Sequence, residues 1–203
     1  MINRLIYKEY DQDQIVGMLA RLLGVAVLFS IVIAIFGHLG VLVQDVEAVS
    51  PNRYAIFDTK FAPVLVLFSA LFEEIIFRFF PVFLLVICFS FRTKKHLFVA
   101  QLVVLMIASV VFGYAHGGFR HIFTQGVLGM LMSLVFILSG GKDKKFSRAL
   151  FFSTLFHFAY NLIIFCTLAG LCYVSGWNNK GVVNDCPFLF WEMFHVEQSY
   201  TNI

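Results

Sequence analysis

Three short stretches of this sequence place residues capable of acid–base chemistry inside otherwise apolar runs. The first is FSALFEEIIFRFFPVFLL, where Glu73, Glu74 and Arg78 interrupt a hydrophobic segment. On a helix Glu74 and Arg78 stand at i, i+4, the spacing at which a carboxylate meets a guanidinium, and pairing lowers the cost of burying both. Glu73 is rotated from Glu74 by about 100° and lacks such a local partner. A network that only holds helices together needs the pair and has no use for the second carboxylate. The second stretch, VVFGYAHGGFRH, sets Phe112 and His116 at i, i+4, and the third, LFHFAYNLI, sets His157 and Asn161 at the same spacing. Singly, each histidine is more often a satisfied bundle residue than a catalyst, since interhelical hydrogen bonds from His and Asn commonly hold membrane helices together. Together with a carboxylate they are the residue types of hydrolysis, with or without a metal, since one Glu and two His around an open position form a hydrolytic zinc set.

The elements that must position these residues are membrane helices. The chain of 203 residues is 60% hydrophobic and 13% charged, with a mean hydropathy of +0.87, whereas soluble domains carry roughly 25% charged residues. A transmembrane helix needs about 20 mainly apolar residues. Five stretches approach or exceed that length: 20–43, 61–91, 97–116, 121–140 and 149–175. The expected fold is therefore all-α, a polytopic bundle of about five transmembrane helices with its cavity inside the membrane. No linker or repeat divides the chain, so residues 1–203 form one membrane domain, with a core of about 61–175 and a peripheral first span and tail. The first span is too long for a cleaved signal core and is expected to be retained.

Basic residues are distributed by loop. The N-terminal segment, the loop at Arg92–Lys95 and the loop at Lys142–Arg148 hold ten Lys and Arg, against four on the other side. By the positive-inside rule the N-terminus is cytoplasmic and the C-terminus external. A net charge of +3 spread in this way excludes nucleic acid as a partner and leaves lipid as the chain's surroundings. Cys88, Cys166, Cys172 and Cys186 show no C-x-x-C spacing, and a Cys172–Cys186 bridge is the one pairing to consider. The aromatic tail PFLFWEMFHV, Pro187–Val196, suits either a membrane interface or a fold back onto the bundle.

Placement along the helices brings the three stretches into relation. Glu73 lies 21 residues before Lys94 and His116 lies 22 after it, so both sit roughly 32 Å from a hairpin turn there. His157 is only 12 residues beyond Lys145, roughly 18 Å from the next turn on that side. Bringing it level with the others requires the two hairpins to protrude unequally.

The ordered set Glu-Glu-x-x-x-Arg, Phe-x-x-x-His, His-x-x-x-Asn on successive apolar spans resembles the CPBP family of intramembrane peptidases, which includes CAAX prenyl endopeptidases and bacteriocin-processing or self-immunity proteins. The motif residues here are Glu73, Glu74 and Arg78, then Phe112 and His116, then His157 and Asn161, within about residues 61–165. Many relatives have more spans, and they often carry Gly where this chain has Phe79. The resemblance implies that Glu73 activates a water with help from His116 and that His157 and Asn161 form the oxyanion hole. Glu74 and Arg78 then orient the site, and Phe112 is a packing wall.

A carboxylate in apolar surroundings makes a strong base, and donors fixed in a low-dielectric cavity stabilise an oxyanion strongly. The implied activity is an intramembrane endopeptidase of glutamic type, without a cofactor, acting on a hydrophobic or lipidated peptide or protein. Two alternatives use the same residues: a zinc form with Glu73, His116 and His157 as ligands, and a non-catalytic immunity or scaffold protein that binds a partner's transmembrane segment. The zinc-peptidase motif His-Glu-x-x-His is absent.

Overall fold

The computed structural model describes residues 7–38 and 62–174. The tail Pro187–Val196, Cys186, residues 39–43 of the expected first span and Lys180 lie outside the described residues. The described chain is helical, with the expected five segments. Helix α1 is Gln12–His38. Helix α2 is continuous but composite, formed by Ala62–Glu74, a π-helical turn Ile75–Phe79 and Phe80–Cys88. Helix α3 is Lys94–Ala115. Helix α4 is composite too, made of Phe119–His121, a π turn Ile122–Gly126 and Val127–Ser139. Helix α5 is Phe146–Val174. Gln12–Ile33, Lys94–Ala115 and Ile122–Ser139 are each long and apolar enough to cross a membrane.

The helix starts depart from the hydrophobic limits for physical reasons. Helix α1 begins eight residues earlier than the expected 20, because Asp11 Oδ1 accepts from the Gln14 amide at 2.8 Å and caps a polar first turn. Helix α3 begins at Lys94 rather than 97, because Thr93 caps it through the His96 amide at 3.2 Å. The π turn in α2 ends just before Pro81, which lacks an amide hydrogen and cannot close an ordinary α-helical bond.

Lipid gives helices little hydrophobic reason to associate, so small residues and interhelical hydrogen bonds must hold the bundle. At the crossing of α3 and α4, a Cβ on Gly113 would lie 2.7 Å from the Gly126 nitrogen and 2.8 Å from both the His121 oxygen and the Ile122 Cα. Only glycine permits that approach. Ser109 and Ser133 share a hydrogen bond of 3.2 Å across the same crossing, and Ser30 and Tyr160 share one of 2.5 Å between α1 and α5. Apolar packing joins Ile15, Leu19 and Ala26 of α1 to Met132, Phe152 and Phe156, and joins Val82 and Leu105 to Phe136 and Ala149.

The turn between α4 and α5 removes the offset of His157. Gly141 and Lys142 are buried, and the buried Gln101 amide donates to the Gly141 carbonyl at 2.9 Å. Gln101 is seven residues into α3, so this turn is tucked roughly 10 Å along the bundle. The Phe112 and His157 rings lie 6.4 Å apart by centroid, so His157 is level with Phe112. The unequal protrusion is thus set by a buried turn.

The basic loops meet on one side. Lys142 Nζ donates to the Lys8 carbonyl, Lys145 pairs with Glu9, Arg148 Nη2 donates to the Tyr10 carbonyl at 2.6 Å, and Lys94 lies 3.8 Å from Asp143. Burial lowers the pKa of Lys142 from the ordinary lysine value, against the opposing pull of Asp143.

Gly113→Ala is expected to destabilise the folded protein by about 1–3 kcal/mol and to lower its thermal midpoint in detergent. Gly17→Ala, whose Cβ would meet nothing within 4 Å, serves as the neutral control. Equal midpoints for the two variants would contradict the close crossing.

Candidate active site

The site begins with Glu74 and Arg78, both fully buried on α2, with Nη1 3.3 Å from Oε1. The guanidinium must also be satisfied away from its partner. Its Nη2 donates to the Gly129 carbonyl at 3.4 Å and reaches Met132 Sδ at 3.6 Å, while its carbon lies 4.6 Å from the centre of the Phe112 ring. Gly129 makes room for this, since a Cβ there would lie 3.2 Å from both Arg78 Nη2 and Phe112 Cδ1.

His157 enters from α5 and touches both glutamates. Its Nδ1 is 3.0 Å from Glu74 Oε1 and its Nε2 is 3.6 Å from Glu73 Oε2. A carboxylate paired with arginine only accepts, so His157 Nδ1 carries the proton in that bond. Nε2 then faces Glu73 at a distance beyond a direct hydrogen bond. Glu73 Oε1 accepts from the Ser69 hydroxyl at 3.0 Å, and Oε2 is buried without a hydrogen-bond partner among the described residues.

His116 ends α3, and its Nδ1 lies 2.7 Å from the Phe112 carbonyl oxygen. A carbonyl only accepts, so Nδ1 is the protonated nitrogen and Nε2 carries the lone pair. The Phe112 ring lies between the two imidazoles, 4.2 Å from His116 and 6.4 Å from His157 by centroid. His116 is within electrostatic reach of Glu73 and His157. Asn161, one turn beyond His157, is half-buried.

The structure therefore gathers Glu73, Glu74, Arg78, Phe112, His116 and His157, with Asn161 on the adjoining turn. Among the described residues no group of three His, Cys, Asp or Glu side chains is drawn together around one point. Phe79 does not disturb the site. It packs away from it, 5.2 Å from Phe83 and 6.0 Å from Phe146 by ring centroid, and helps seat the start of α5.

Four residues around the site lie outside the three motifs. Gly129 and Ser133 were visible as a small-residue pair at i, i+4. Ser69 was visible one turn before Glu73. Ser153, fully buried beside Glu74 one turn before His157, had no signal apart from that spacing.

Removing one partner of a buried ion pair strands the other charge, at a cost of about 3–5 kcal/mol. Arg78→Met is therefore expected to lower stability in detergent more than the double variant Glu74→Gln/Arg78→Met does. A double variant less stable than the single one would refute the pairing.

Over residues 55–163, just over half of its length, the chain matches the family described as type II CAAX prenyl endopeptidase, Rce1-like. No curated protein and no solved structure matches it. The matched stretch starts before α2 and ends after Asn161, so it contains every residue gathered above, and the chain belongs to the Rce1-like family of type II CAAX prenyl endopeptidases, as an integral membrane protein.

Proposed function

We propose that this protein is an intramembrane endopeptidase that hydrolyses a peptide bond of a hydrophobic or lipidated substrate with a water activated by Glu73. The observation that carries this reading is the buried, unpartnered Glu73 Oε2, held 3.6 Å from His157 Nε2. A polar separation of that size is suited to a bridging water. Glu73 takes the proton of the attacking water, and His116 Nε2 assists from the end of α3. The new oxyanion is stabilised by Asn161 and by His157, whose Nε2 becomes a donor once it shares the proton taken from the water. Glu74 and Arg78 fix the orientation of His157 and do not react.

Charge supports the division of labour. Two carboxylates against one guanidinium leave the cluster at −1, and one proton shared between Glu73 and His157 makes it neutral. That proton is available to the leaving amine once the tetrahedral intermediate collapses. A cavity among apolar helices favours a substrate that is itself lipid-soluble, and a prenylated C-terminus is one member of that class. The N-terminus lies on the cytoplasmic side in this proposal, on the strength of the basic loops gathered there.

Comparative peptidomics of membranes carrying the wild type and Glu73→Gln provides the test. Uncleaved precursors are expected to accumulate with the variant, with processing slowed at least about 100-fold. Normal processing by Glu73→Gln overturns the proposal. The proposed mechanism uses no metal, so processing is expected to survive exhaustive chelation. Loss on chelation with recovery on added zinc would assign the metal form instead.

A further inference from the structure

We infer that Ser69 is a positioning residue for Glu73, one whose hydroxyl tethers one carboxylate oxygen so that the other is presented to the site. The inference rests on the proposed role of Glu73 as the base. It starts from the choice of partner made by this serine. A serine on an apolar helix commonly returns its proton to a carbonyl in the preceding turn. Ser30, Ser109 and Ser139 do so with Ala26, Leu105 and Val135 at 3.0, 2.7 and 2.7 Å, and Ser153 does so with Leu150 at 3.3 Å. Ser69 instead donates forward, to Glu73 Oε1 one turn ahead at 3.0 Å.

The location explains why a tether is needed. Glu73 sits where the buried stripe of Ala70, Glu74 and Arg78 meets an outer face on which Phe68 and Phe72 are 62% and 65% exposed. In apolar surroundings an anionic oxygen without a donor is costly. The two oxygens of a glutamate also exchange places by rotation about the last side-chain bond unless one is held. The Ser69 hydroxyl meets both needs at Oε1, and Oε2 is thereby left buried and turned toward His157. Ser69 does not touch the reacting atoms. It acts through Glu73.

The test reads Glu73 directly, without a known substrate. Dicyclohexylcarbodiimide modifies protonated carboxyls in apolar surroundings, and mass spectrometry of the full chain in detergent follows its addition to Glu73, with Glu73→Gln as the blank. Ser69→Ala releases Oε1 from its only donor among the described residues and leaves the carboxyl free to turn, so it is expected to label about three- to tenfold faster at neutral pH. Ser69→Thr keeps the donor and is expected to restore the wild-type rate. The same pair is expected to slow and to restore processing of the precursors that accumulate with Glu73→Gln. Wild-type labelling in Ser69→Ala, or faster labelling that Thr fails to restore, overturns the inference. If Glu73→Gln is inactive while Ser69→Ala labels and processes normally, the Ser69 inference alone fails. If Glu73→Gln processes normally, the proposed function fails, and labelling still decides whether Ser69 tethers the carboxylate.

Discussion

A guanidinium with no access to water must find its counter-charge inside the protein, and the pairing of Arg78 with Glu74 is the constraint from which the rest of the bundle follows. Both groups are fully buried, and desolvating either alone costs several kcal/mol. Arg78 therefore dictates a glycine at 129 for clearance, a carbonyl at the same residue for Nη2, and an aromatic face from Phe112 beneath it. Glu74 in turn gives His157 a fixed acceptor. Three helices are bound to one pair of charges, which supplies the specific association that lipid does not.

The two π turns belong to the same arrangement. One follows Glu74 directly and contains Arg78, and the other ends at Gly126, which packs against the backbone of Ser109. Wider turns of this kind add a residue and redirect the side chains that follow, and they recur at functional sites. Here they let α2 and α4 keep their apolar outer faces while the polar residues converge on a single interior point. Gly113 completes the geometry by allowing α3 to approach closely enough for Phe112 and His116 to reach it.

Much of this was legible in the sequence, because a helix makes neighbours of residues at i, i+4 whatever surrounds it. That rule found Glu74 with Arg78, Phe112 with His116, and His157 on one face with Asn161, and length with composition found five helices. What escaped was interhelical. The depth of the turn at Gly141 depends on a bond from Gln101 forty residues away, and no local pattern encodes it. The early start of α1 came from a capping aspartate outside the apolar run.

Glu73 and Glu74 show why residue type alone does not assign a role. They are adjacent and identical, yet Glu74 is met by a guanidinium and an imidazole at one oxygen, whereas Glu73 meets a hydroxyl at one oxygen and keeps the other unbonded. The first environment holds a charge in place and leaves it nothing to do. The second leaves a lone pair directed into the interior, at a cost that the Ser69 hydroxyl reduces from the other oxygen. Environments that separate two like groups are how one fold assigns different chemistry to each. The helical step of about 100° between consecutive residues is enough to produce that difference in surroundings here, closing one carboxylate into an ion pair and turning an oxygen of the other toward His157.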